Sequence, residues 1–77
     1  MELEIGRIVC SKAGRDQGGW FAVVGWEGEY FLLANGKERP LERPKRKRRI
    51  HLSVTNTVLE ESSMRSNREL RRALQQL

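Results

Sequence analysis

Along the first half of the chain, short apolar runs of strand length are separated by glycine and polar turn residues, the pattern of strands rather than helices. Residues 3–10 predict a first strand, with Ile8 and Cys10 on one face, Ile5 and Val9 on the other, and Gly6 at a bend. Residues 20–26 predict a second, in which Phe21 and Val23 face one way, Trp20, Ala22, Val24 and Trp26 the other, and Gly25 leaves room for curvature. Strands that are apolar on both faces suit a tightly curled sheet. Glu27-Gly28 makes a tight connection into a third strand at 29–34, and Asn35-Gly36 predicts a type I′ turn, which needs positive φ at both central positions. A fourth strand at 37–41 belongs at an edge, because Pro40 has no N–H for a ladder. Ile50, Leu52 and Val54, alternating with His51 and Ser53, predict a fifth at 50–54. The expected fold is mainly β, a small five-stranded SH3-like barrel.

The last third changes character. Thr55-Asn56-Thr57 reads as a turn cluster, Val58-Leu59 as an isolated apolar pair, and residues 60–65 as a polar connector. Ser66 followed by Glu69 forms a capping box, and Leu70, Ala73, Leu74 and Leu77 recur at helical spacing, so a short amphipathic helix is expected at about 67–76. A lone helix of this length is marginal in water. It has to dock, either on outer apolar positions of the barrel or on a partner. The organisation expected is one domain, with residues 1–54 as the barrel and 55–77 as connector and helix.

Charge sharpens this picture. Residues 1–42 carry five bases and seven acids, residues 43–51 six bases and no acid, and residues 52–77 four bases and three acids. The net charge of +5 is therefore a local patch on a near-neutral body. Clustered Lys and Arg displace counterions from phosphates, so Arg43, Lys45, Arg46, Lys47, Arg48 and Arg49 predict an extended arm that binds a polyanion; a solvated charge run is the alternative. Pro44 biases Arg43 toward extended backbone.

With 77 residues the chain buries only about 60% of the surface its unfolded form exposes, which leaves little room for a catalytic cleft. The acids stand singly on turns and no Ser or Cys has a His-and-acid set, so no enzyme activity is expected. With one His and one Cys, neither a metal site nor another cofactor is expected. His51 reads as a polar-face residue or phosphate donor. Cys10 reads as a small buried hydrophobe in a reducing compartment, and Glu2 and Glu4 stand where a signal peptide would be basic; a cytoplasmic monomer that neither enters a membrane nor takes a small-molecule substrate is expected.

The remaining feature is residues 11–18, Ser-Lys-Ala-Gly-Arg-Asp-Gln-Gly. Gly14 and Gly18 permit sharp bends that project Lys12 and Arg15, while Asp16 reads as an acceptor for the loop's own N–H groups. A binding loop and a plain connector are both open. Trp20 at the loop's edge is the candidate stacking residue, whereas Phe21 and Phe31 read as core.

Gly6-Arg7-Ile8-Val9, the 11–18 loop with Gly18, and Phe21-Ala22-Val23-Val24 together resemble the KOW motif, in which apolar residues flank a loop holding a near-obligatory glycine. The continuation, Leu33-Ala34-Asn35-Gly36-Lys37 with 39–47 and His51-Leu52, is similar to bacterial KOW-domain RNA-binding proteins, which look like the fourteen-e type of large-subunit ribosomal protein. Asn35 stands where that family favours aspartate. NusG-type transcription factors also carry the motif, so the motif alone is less specific than residues 3–54 as a whole. The resemblance implies an SH3-like barrel that binds structured ribosomal RNA or the large ribosomal subunit, with Lys12, Gly14, Arg15 and Gly18 in the recognition loop. The rival expectation is an SH3-like protein-interaction module that docks on a transcription or ribosome-assembly factor.

Overall fold

The computed structural model describes residues 3–77; Glu2, part of the acidic start, lies outside them. Five antiparallel strands form one sheet: β1 (Arg7–Ser11), β2 (Trp20–Glu27), β3 (Tyr30–Ala34), β4 (Lys45–Arg48) and β5 (Leu52–Val58), followed by one helix, α1 (Asn67–Gln75). The strand order is β4-β3-β2-β1-β5, a meander whose last strand returns to pair with the first. No pairing joins β4 to β5, so the expected barrel is not closed among the described residues.

Both faces of the sheet are apolar, and each is covered differently. On the inner face Leu3, Val9, Phe21, Val23, Leu33 and Leu52 are buried together. No helix lies over this face, and the curl of the sheet itself seals it. Lys47 of β4 reaches Ala13 O in the β1–β2 loop at 2.7 Å, although β4 and β2 would stand two strand spacings, about 10 Å, apart in a flat sheet. The curl is helped by a register shift between Val23 and Gly25, where the sequence predicts curvature. On the outer face α1 presses Leu70 against Ile8 and the small pair Ala22 and Ala34. Leu70 is wholly buried, worth about 1.5–3 kcal/mol. Of the two docking sites open to the helix, the sheet is the one it takes. Its N-cap is as expected, with Ser66 Oγ accepting from Glu69 N at 3.1 Å.

Three local expectations are corrected. The strand expected at 37–41 is a turn: Asn35 Oδ1 accepts from the backbone N–H groups of Lys37 and Arg39, and Arg43 N donates to Pro40 O. Those donors are then unavailable to a ladder, and the fourth strand forms instead from the basic run. The Asn35-Gly36 turn is not type I′, because only Gly36 has positive φ, at 78°. Gly36 also lets α1 approach closely, since a Cβ there would collide with Asn67 O. The fifth strand begins at Leu52 rather than Ile50, which sits in a 3-10 turn (Arg49–His51) and is 70% exposed.

That strand also runs through Thr55-Asn56-Thr57 to Val58, past residue 54. The turn signal there is realised as an irregularity inside β5, where Arg7 pairs with Val58 but Val9 with Val54. Thr55 Oγ1 donates to Ile8 O at 2.7 Å and Arg7 Nη1 to Thr55 O at 3.1 Å, satisfying backbone that the ladder leaves open. Cys10, expected to be buried, is half-buried on the outer face between Trp20 and Ser53.

Candidate nucleic-acid interface

β4 turns the basic run into a ladder edge, and the two-residue period of a strand sorts its side chains. Lys45 and Lys47 stand opposite Leu33 and Phe31 on the inner face, whereas Arg46 and Arg48 stand opposite Leu32 and Tyr30 on the outer one. Lys47 is thereby taken out of the surface patch. It is 9% exposed, and its ammonium donates to Ala13 O. Arg46, Arg48, Arg43 and Arg49 remain exposed, with Lys45 half-buried. An edge strand of this charge also resists pairing with a foreign strand.

Opposing charge is sparse along β4. Among the described residues the one carboxylate within ion-pair distance of it is Glu27, 3.5 Å from Arg46 Nη1, with both side chains more than 60% exposed, while exposed Glu29 acts on Arg48 from farther off. Such a pair contributes little in water. Arg46 and Arg48 instead flank the Tyr30 ring, their Cζ atoms 5.8 and 5.4 Å from its centroid. Contacts of this kind hold guanidinium planes upright without neutralising them. A cleft of about 400 Å3 opens beside them, lined by Tyr30, Arg39, Pro44, Lys45 and Arg46.

The 11–18 loop is built around a 3-10 turn (Gly14–Asp16) with Gly14 at φ 76° and Gly18 at φ 85°. A Cβ on Gly18 would touch nothing within 4 Å, so it is backbone conformation alone that calls for glycine there. The loop closes on itself through Gln17 N to Gly14 O, Gly18 N to Ser11 O and Gly19 N to Asp16 O. Three ties come from elsewhere: Lys47 to Ala13 O, Lys12 N to His51 O at 2.8 Å, and Arg39 to Asp16. The last is two-pronged, Nη2 to Oδ2 at 3.1 Å and Nε to Oδ1 at 3.3 Å. The Asp16 carboxylate thus accepts from Arg39, which corrects the expectation that it serves the N–H groups of its own loop. Lys12 and Arg15 are left exposed.

The fold therefore joins the loop to the Arg49–His51 turn and to β4, bringing Lys12, His51 and Arg49 to one end of the sheet. Trp20 is not brought to them. It is 50% exposed on the outer face and lines a groove with Ile8, Thr55, Thr57, Leu74 and Leu77. Sequence reasoning missed Tyr30 and Arg39 as members of the site. The signal for Tyr30 lies in reading the basic run as a strand, which sets Arg48 directly across from it; Arg39 is tied to Asp16 only by tertiary structure.

Among the described residues no three His, Cys, Asp or Glu side chains cluster as metal ligands, and no helix is long and apolar enough to cross a membrane. Compared with models of known protein families and with curated protein sequences, the chain has no match.

Proposed function

We propose that the chain is a small RNA-binding protein of the KOW type, its curled sheet an SH3-like barrel left open between β4 and β5, acting on structured ribosomal RNA. The observation that carries this reading is an ordered strand edge on which Lys45, Arg46 and Arg48, continued by Arg43 and Arg49, outnumber the exposed carboxylates beside them, Glu27, Glu29 and Glu42, of which Glu27 alone among the described residues comes within ion-pair distance. Phosphate contacts of that kind need no base sequence, which suits A-form RNA, read mainly through its backbone and 2′-hydroxyls. The Lys12 and Arg15 loop, held rigid from three sides, supplies shape where β4 supplies attraction.

The test is the salt dependence of binding to folded ribosomal RNA fragments. Five bases neutralising about five phosphates give a slope of log affinity against log salt of roughly −3 to −5. Replacing Lys45, Arg46, Arg48 and Arg49 by Gln flattens it, and Arg15→Ala weakens binding with the fold intact. An unchanged slope, or lysate partners that survive RNase, would favour the protein-interaction module instead.

A further inference from the structure

The helix α1 carries a charge pattern that its own stability does not explain. Arg68 sits in the first turn, where the helix macrodipole disfavours a cation, and Arg72 stands at i+4 from it, a like-charge pair. Glu69 stands at i,i+3 from Arg72, within pairing reach by helical spacing, yet no ion pair forms to Arg65, Arg68 or Arg72 among the described residues. All three are exposed. Glu69 in the first turn and Arg72 in the last suit the macrodipole, so the conflict lies at Arg68, whose place in the first turn and like-charge neighbour at i+4 find no compensating ion pair.

These arginines are also joined to β4 by a groove. The cleft beside Arg46 and the next groove share Pro44, and that groove is lined as well by Leu32, Leu41, Glu61, Met64 and Arg65. Arg46 and Arg48 face outward on the same side of the sheet that α1 covers. Arginines thus stand at both ends of a largely apolar groove that holds one carboxylate, Glu61: Arg46 on the β4 side of Pro44 and Arg65 at the far end, followed by Arg68 and Arg72 on the exposed side of the helix.

We propose that Arg65, Arg68 and Arg72 form the far half of the RNA footprint, gripping the phosphate backbone of a stem that extends beyond β4 across the outer face. This rests on the RNA-binding reading above. The partner is a continuous phosphodiester backbone, since isolated guanidiniums without a pocket select for repeated charge rather than for a particular group.

The experiment compares hairpin RNAs whose stems grow from shorter than the molecule's 27 Å length to well beyond it. In the wild-type protein, affinity and salt slope rise until the stem covers both β4 and α1. The triple variant Arg65→Gln, Arg68→Gln, Arg72→Gln binds short stems as wild type does but stops gaining with length, its slope on long stems shallower by roughly 2 to 3. Arg68→Glu removes the first-turn cation and so raises the thermal midpoint while weakening long-stem binding, a combination that a purely structural arginine cannot produce. A triple variant that matches wild type at every length, beside a β4 variant that loses its slope, overturns this inference and leaves the RNA reading standing. A β4 variant with an unchanged slope overturns both, and a lowered midpoint for Arg68→Glu returns that residue to the fold.

Discussion

The β1–β2 loop and β4 both present basic side chains at the candidate interface, yet they are held in place by opposite means. Strand β4 is fixed by its ladder to β3, with Leu33, Leu32, Phe31 and Tyr30 opposite Lys45, Arg46, Lys47 and Arg48. Main chain does the holding there, so the outward side chains are free to serve chemistry. The loop has no ladder beyond its own turn bonds, and its shape depends on Gly14, Gly18 and ties from Lys47, Arg39 and His51. An interface can thus draw its charge from a part of the fold that tolerates substitution and its geometry from a part that does not.

Lys47 breaks the comparison most directly, because it belongs to the strand by sequence and to the loop by contact. Lys47→Ala strips Ala13 O of its donor and empties space beside Phe31, at a cost of about 1 to 3 kcal/mol. Arg46→Ala, one residue away and exposed, stays within about 0.5 kcal/mol. Urea unfolding of the two variants measures both, and equal losses would show that the inward turn of Lys47 is of no consequence. Gly18→Val comes next. It meets no steric neighbour but must hold φ near 85°, which costs a β-branched residue about 1 to 2 kcal/mol. Its mark is a weaker fold or a reshaped loop, read by amide exchange at Gly18 and Gly19, with the β4 ladder unaffected.

How much of this was legible beforehand follows the same division. Strands β2 and β3 read clearly because residues 20–26 and 30–34 are short apolar runs bounded by glycine and polar turn residues, and Ser66 with Glu69 announced the helix. The fourth strand did not read, because apolar alternation is the usual signal and Lys45–Arg48 has none; its pairing is fixed by the partner strand and by Asn35 consuming the donors of Lys37 and Arg39. Thr55-Asn56-Thr57 carried a true signal for broken regularity, but whether that becomes a turn or a bulge is decided by the β1 backbone it meets. Of the site, the charge and the glycine loop were visible in the sequence. The inward turn of Lys47 and the Arg39–Asp16 tie were not, since both join segments more than twenty residues apart.

A subtler change separates the loop's ties from one another. Asp16 and Arg39 are 12% and 29% exposed in their side chains and bond at two points, which places their coupling at about 1 kcal/mol, the upper end for ion pairs open to solvent. A double-mutant cycle of Asp16→Asn and Arg39→Gln reports it. Both single variants weaken RNA binding through loop shape while leaving the salt slope as it was, because neither removes a phosphate contact. A slope that falls with Arg39→Gln would move Arg39 from positioning to contact.

The smallest effect lies at the entry to β4. Asn67 at the start of α1 accepts from Leu41 N at 2.7 Å through Oδ1 and donates to Glu42 Oε1 at 2.9 Å through Nδ2, fastening the segment that leads into the strand. The hydrogen bond from Asn67, followed by one from backbone N–H, holds the Glu42 carboxyl below its usual range. The folded protein therefore binds that proton less readily than the unfolded chain, so the contribution is fully present above the unfolded value, about pH 4.3, and is lost as pH falls through the lower folded value. Because Glu42 is exposed, the change in overall stability is slight; its local trace is a lower protection factor, corrected for the intrinsic rate, at the Leu41 amide on acidification. Asn67→Ala should weaken that pH dependence, since the largest of its causes is gone, and loosen the entry to β4 at neutral pH. The Gly18 amide, bonded within its own loop to Ser11 O, should keep its protection in that variant. Joint loss at Leu41 and Gly18 would mean that loop and strand open as one unit, and that their separate means of support do not give them separate stabilities.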